Sequence, residues 1–158
     1  MSVSTDGQIC FGIKFGEEFE FPWNAEKYDE DIGEWWMDVN GYKPPFEMFD
    51  ENGEWIGGEI AWPEYKQEEY YNARYKFEKK HPLPIELVNY CSGEYPAYIL
   101  AVPKSCLTAS RGYPQSIDKL FAIEDEAPEW EDQLKAFCKK YGIRARSAPK
   151  WWLSSYWG

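Results

Sequence analysis

IELVNYCSGEYPAYILAV, residues 85–102, decides the fold. Ile85–Cys91 and Ala97–Val102 are the two most apolar runs of the chain. Each has strand length and is rich in β-branched and aromatic residues. Ser92-Gly93-Glu94-Tyr95-Pro96 separates them with turn-forming residues, so the pair reads as a hairpin with a five-residue loop at the sheet centre.

Upstream, Gln8–Phe15 (QICFGIKF) sets Ile9, Phe11 and Ile13 on one face of a half-buried first strand. Trp62–Lys80 reads as a helix. Pro63 and Glu64 suit its start, Lys79, Lys80 and His81 its end, and Pro82 and Pro84 stop it. Its core stripe is Tyr70, Ala73 and Phe77, with Tyr71 and Tyr75 beside it.

Downstream, Cys106–Ser110 reads as a short strand and Arg111–Pro114 as a turn. Pro128–Tyr141 is a second helix with acids in its first turn, Lys139 and Lys140 in its last and Gly142 just beyond. Trp130, Leu134, Phe137 and Tyr141 form its apolar stripe, with Cys138 buried beside them. Ile143–Ala148 reads as a strand. Trp151–Gly158 carries three Trp in eight residues, too apolar for a frayed end, and reads as a strand docked in the sheet or a plug on the core. In the N-terminal third, Asp29–Met37 reads as a short helix. Asn52-Gly53, between Tyr42–Phe49 and Glu54–Ile56, reads as a hairpin turn rather than a calcium loop, because EF-hand spacing is missing. The order of elements predicts an α+β fold, a mostly antiparallel sheet with two helices packed on one face, in a single domain over residues 1–158.

Charge is distributed unevenly. Residues 1–60 hold fifteen Asp/Glu against three Lys/Arg, whereas the remainder is nearly balanced within a chain of net charge −11. The acids are interleaved with aromatics, and aromatics make up 19% of the chain. That mixture marks a folded acidic surface rather than a disordered tail. Mean hydropathy is −0.68, so the core must rest on Trp, Tyr and Phe. Lys76, Lys79, Lys80, Arg144, Arg146 and Lys150 could form a basic patch, but the net charge disfavours nucleic-acid binding.

The chemistry of known motifs is missing. There is no Gly-rich phosphate loop and no nucleophile elbow. The four cysteines form no CxxC pair and His81 is the sole histidine; a metal site or cofactor is not expected, and His81 with Cys91 or Cys106 is a remote catalytic option. With no secretory signal or membrane-spanning run at hand, reduced thiols in a cytoplasm are expected. Two binding readings remain. Asp29, Glu30, Asp31, Glu34 and Asp38 can present carboxylates to the basic surface of another protein. Alternatively, surplus aromatics line a pocket for a small molecule or nucleotide, with Arg111, Tyr113, Arg144 and Arg146 as contacts.

The run Pro82–Pro103 (PLPIELVNYCSGEYPAYILAVP) and the close Trp151–Gly158 (WWLSSYWG) resemble small proteins of tailed bacteriophages and prophages. The resemblance implies a location, the cytoplasm of an infected bacterium, and no catalytic residues. It also implies a biological role, inhibition of a host defence of the anti-CRISPR or anti-restriction type. The acidic face would then bind a nucleic-acid-handling host protein.

Overall fold

The computed structural model describes residues 5–16, 19–46, 64–92, 94 and 96–157. The hairpin expected at Asn52-Gly53 and the start of the Trp62 helix lie outside them. The fold is α+β. Its strands are β1 (Thr5–Lys14), β2 (Glu86–Ser92), β3 (Pro96–Ala101), β4 (Leu107–Ala109) and β5 (Lys150–Trp157); its helices are α1 (Ile32–Val39), α2 (Glu64–Lys80), α3 (Asp118–Phe121) and α4 (Ala127–Tyr141). Contacts gather the chain into two compact units, Met1–Pro22 with Pro84–Gly158, and Trp23–Leu83. The first holds the whole sheet; the second is inserted after β1.

β1 is the hub of the sheet. It pairs antiparallel with β5 along Thr5–Gly12, with β4 at Gly7–Ile9 and with β3 at Gly12–Lys14. β3 pairs with β2 in the hairpin, and β2 meets the end of β5 in a short parallel pairing at Cys91 and Ser92. The pairings β1–β3–β2–β5–β1 therefore form a closed circuit. The hairpin over residues 85–102 is present and lies within that circuit, while β1 makes the most pairings, with β3, β4 and β5.

β3 and β4 lie along the same edge of β1. Five residues separate Ala101 from Leu107, whereas two separate their partners Gly12 and Ile9. The extra residues form a helical turn, Pro103–Ser105. Ser105 secures it: fully buried, its hydroxyl accepts from the Phe11 N–H at 2.8 Å and donates to the Val102 carbonyl at 2.6 Å. Gly12 permits the close approach of β1 and β3. A Cβ there would lie 2.5 Å from the Leu100 carbonyl oxygen and 2.7 Å from Ile99 Cγ2, so no side chain fits.

Cys10, Phe11, Gly12 and Ile13 are all buried, so β1 is covered on both faces rather than half buried. On the inner face Cys10, Val88, Ile99 and Ala101 form a core, with Tyr90, Cys106 and Trp152 packed against it. On the outer face Phe11 meets Trp130 of α4 and Trp151 of β5, at centroid distances of 5.9 and 5.7 Å. Trp130, Leu134, Phe137 and Cys138 of α4 are buried, as its stripe predicts. Gly142 caps α4 in the left-handed conformation at φ 72°. The Ile143 N–H bonds back to the Cys138 carbonyl. That capping turn consumes the start of the strand expected at Ile143–Ala148; the strand that forms begins at Lys150. Trp151–Trp157 is thus part of β5, a docked strand rather than a plug.

The sequence places two long helices on the sheet. α4 takes that position, whereas α2 belongs to the inserted unit. Tyr70, Ala73 and Phe77 of α2 are only half-buried and Tyr71 and Tyr75 are exposed. Apart from tyrosines, α2 has only Ala73 and Phe77 to offer a core. In the inserted unit Trp23, Trp35 and Met37 are buried, with the two Trp rings 5.1 Å apart.

Candidate functional site

Strand alternation assigns the side chains of the sheet unit to their faces. Gln8, Cys10 and Lys14 share the inner face of β1; Ile9, Phe11 and Ile13 share the outer one. At the Lys14 end, a cavity of about 570 Å³ opens between Lys14, Phe15, Phe19, Tyr90, Cys91 and Arg146. Its size falls within the usual range for small-molecule sites.

Tyr90 of its wall and Trp152, which stands beside Lys14, are fixed by hydrogen bonds. The Tyr90 hydroxyl donates to the Phe15 carbonyl at 2.9 Å, and Trp152 Nε1 donates to the Gly12 carbonyl at 3.0 Å. Phe15, Phe19 and Phe21 pack with ring centroids 4.4–5.0 Å apart. Lys14 Nζ stands 5.5 Å from both the Tyr90 and the Trp152 ring centroids, and Lys150 Nζ is 4.6 Å from that of Trp152. These cation–π contacts orient the ammonium groups. Neither Lys14 nor Arg146 enters the ion pairs of the described residues. Chemically, the cavity offers two positive charges beside flat apolar faces.

Of the four ligand contacts expected from the sequence, Arg146 lines this cavity. Arg111 and Tyr113 lie in the exposed turn after β4, where Gly112 adopts φ 83°, and Arg144 is exposed beyond the α4 cap. None of the three is among the lining residues. Sequence reasoning missed Lys14, Phe15, Phe19 and Tyr90. A signal for Lys14 was there: it is the single charged residue in QICFGIKF and shares strand parity with Cys10.

The five acidic candidates lie together in the segment leading into α1 and along that helix, within the inserted unit, and they divide by role. Asp31 is the N-cap of α1; its Oδ1 accepts from the Gly33 and Glu34 N–H groups at 2.6 and 3.1 Å. Glu34 pairs with Arg74, whose Nε also bonds Glu78 at 2.9 Å. Burial alone would lower the Arg74 pKa, but hydrogen bonds to Glu78 and Glu34 hold it well above its ordinary value. Asp38 accepts from the Tyr28 hydroxyl at 2.6 Å and from Lys27 at 2.9 Å; these bonds, Tyr28 first, hold its carboxyl below the ordinary range. Asp29 and Glu30 are exposed and take left-handed backbone conformations, φ 47° and 62°. Together with exposed Asp31 they form a continuous acidic run.

The remaining chemistry is sparse. The His81 ring stacks on Phe77 at 4.5 Å and its carbonyl accepts from Trp36 Nε1 at 2.8 Å, in the inserted unit. Cys91 and Cys106 belong to the sheet unit. Burial pushes the Cys138 thiol up to about 11. Among the described residues no cluster of His, Cys, Asp or Glu is arranged to hold a metal ion, and no helix is long and apolar enough to cross a membrane. Comparison of the chain with protein-family models, curated proteins and solved structures returned no match.

Proposed function

We propose that the sheet unit binds a small anionic ligand with a flat apolar part, a nucleotide being the simplest example. The observation that carries this reading is the cavity in which Lys14 and Arg146 stand beside Tyr90, Phe15 and Phe19. Cations neutralise an anionic group most effectively where apolar walls limit solvent, and aromatic faces accept a planar ring by stacking. Titration with nucleoside monophosphates, followed by tryptophan fluorescence, tests it. Saturable binding is expected. Arg146→Ala and Lys14→Met should each weaken it roughly tenfold, the loss of one charge-assisted contact, with melting unchanged. Binding that is undetectable, or insensitive to both substitutions, would reject the cavity as the site.

A second reading is favoured by the exposed run Asp29-Glu30-Asp31 and by the composition of the inserted unit, fifteen Asp/Glu against seven Lys/Arg. On this reading the protein is a phage-encoded inhibitor acting in the bacterial cytoplasm. Its acidic unit meets the basic surface of a host protein of nucleic-acid handling, as an anti-CRISPR or anti-restriction protein does. Affinity capture from a bacterial lysate would identify that partner. Association with the purified partner should slow as salt rises, since the Debye length is about 8 Å at physiological ionic strength. Asp29→Asn with Glu30→Gln should slow it further without touching the fold, because these two carboxylates hold no partner in the hydrogen bonds described above. Salt-independent association would remove the reading.

A further inference from the structure

Two cysteines stand face to face where β1 passes from its pairing with β4 to its pairing with β3. Gly7, Gln8 and Ile9 of β1 lie opposite Ala109, Thr108 and Leu107 of β4. The same register sets Cys10 opposite Cys106 in the next row. Cys106 leaves the Pro103–Ser105 turn with extended backbone, φ −81° and ψ 133°, so strand geometry reaches it. Both belong to the inner-face core, Cys10 buried within it and Cys106 packed against it. Both are free thiols.

The backbone bonds define what kind of row this is. The Phe11 N–H donates to Ser105 Oγ and the Phe11 carbonyl accepts from the Val102 N–H, so both groups point to the β3–β4 edge of β1. Backbone groups alternate edges along a strand, and those of Cys10 therefore turn to β5. The Cys106 N–H donates to the Pro103 carbonyl rather than to β1. Cys10 and Cys106 thus form a non-hydrogen-bonded cross-strand pair. Such pairs approach to about 4.5 Å between Cα atoms, within the roughly 4.4–6.8 Å that a disulfide spans. The side chains meet: a hydrogen bond with Cys10 is the foremost cause that holds the Cys106 thiol well above its ordinary pKa, followed by burial and the charge of Glu86. Access differs between the two. Cys106 lines a cavity of about 330 Å³, whereas Cys10 is 1% exposed and does not line it.

We propose that Cys10 and Cys106 are a redox-modification site, a dithiol that hydrogen peroxide entering this cavity converts into a cross-strand disulfide between β1 and the start of β4. The Cys106 sulfur, as its thiolate, attacks one peroxide oxygen. The O–O bond breaks, that oxygen stays on sulfur as a sulfenic acid, and the other takes the thiol proton and leaves as water. The Cys10 sulfur then attacks the Cys106 sulfur. An S–S bond forms, and the sulfenic hydroxyl leaves with the Cys10 proton as a second water. The two thiols lose two electrons and the peroxide gains them. A thiol held protonated reacts slowly, because the thiolate is the nucleophile. The same property makes it a poor leaving group, so the disulfide, once formed, resists thiol reductants. The loop it closes holds the whole inserted unit and the hairpin, which restricts the unfolded chain and stabilises the folded one.

Treatment of the folded full chain with hydrogen peroxide, alkylation of the remaining thiols and peptide mapping by mass spectrometry without reduction test it. The expected product is a linked pair of peptides carrying Cys10 and Cys106, lighter by two hydrogen atoms than the separate thiols. The linked protein should melt above the reduced one. Cys10→Ala should leave Cys106 as a sulfenic acid that dimedone traps. Cys106→Ala should slow oxidation of Cys10 roughly tenfold or more, since Cys10 has no access of its own. Three results would overturn the proposal: no Cys10–Cys106 linkage in the folded chain, linkage of either residue to Cys91 or Cys138 in its place, or a linked protein that melts below the reduced one. If Cys10→Ala fails to fold, the peptide map and melt of the unsubstituted chain decide alone.

Discussion

The sheet unit and the inserted unit solve the same problem, an aromatic-rich chain with few aliphatics, in different ways. The sheet unit buries its aromatics. Phe11 and Trp130 are 5% and 4% exposed and are locked by a strand on one side and a helix on the other. The inserted unit spends its polar groups. Asp31 caps a helix, Asp38 holds Lys27 and Tyr28, and Glu34 and Glu78 hold Arg74. Among the described residues most of the buried apolar side chains belong to the sheet unit, and the inserted unit shows three ion pairs against two. The lesson concerns legibility. An acidic, aromatic block looks from composition like one negative face, yet four of its acids, Asp31, Glu34, Asp38 and Glu78, are engaged by local structure.

The comparison breaks first at α4. Phe137→Ala removes a buried ring, and should cost about 3–5 kcal/mol. An unchanged thermal melt would show that α4 does not anchor the sheet unit. Gly12→Ala comes next. The added Cβ has no room against Leu100 and Ile99, and overpacking of this kind costs about 1–3 kcal/mol. A urea midpoint equal to the parent's would show that β1 and β3 can part without loss.

In the inserted unit the expected effects are smaller. Asp31→Ala removes the α1 cap and should cost about 1 kcal/mol, while Asp31→Asn should keep most of it. Hydrogen exchange at Gly33 and Glu34 distinguishes the two variants. If Asp31→Ala cost as much as Phe137→Ala, the contrast between the units would fail.

The smallest effect is at Cys138. Its thiol is pushed by burial to about 11 from an ordinary 9.0. Only roughly one molecule in a thousand carries the thiolate at about pH 8. Alkylation there should be roughly a hundredfold slower than at an ordinary thiol, measured by mass spectrometry of the modified peptide. The linkage has a definite sign. Between 9 and 11 the unfolded thiol has lost its proton and the folded one retains it. The unfolded state therefore binds fewer protons, and stability falls as pH rises through that window. A stability curve flat over that range would show that Cys138 is not buried as described.

Much of the secondary structure was readable, for local reasons. α4 announces itself through Trp130, Leu134 and Phe137 at helical spacing and through Gly142 at its end. The hairpin is visible in its two apolar runs and the turn between them. The strand expected at Ile143–Ala148 is absent because the α4 capping turn extends into it, a hydrogen bond that strand propensity does not register. The site was far less readable. Arg146 was among the candidates because it is basic. Lys14 and Tyr90 are distant in the chain and reach it only through the β1–β3–β2 pairing.

The sequence by itself determined most of the segments that form helices and strands, where the acids concentrate and which face of α4 is apolar. Periodicity, capping residues and turn chemistry are local, and each acts over a few neighbours. Only the tertiary structure decided that the sheet closes through β2 and β5, that β1 rather than the hairpin is its hub, and that Gln8, Thr108 and Ser154 share one row. Those outcomes depend on register between strands far apart in the chain. A one-residue slip would turn every side chain of a strand to the other face, and here register is held by Gly12's missing side chain and Ser105's buried hydroxyl.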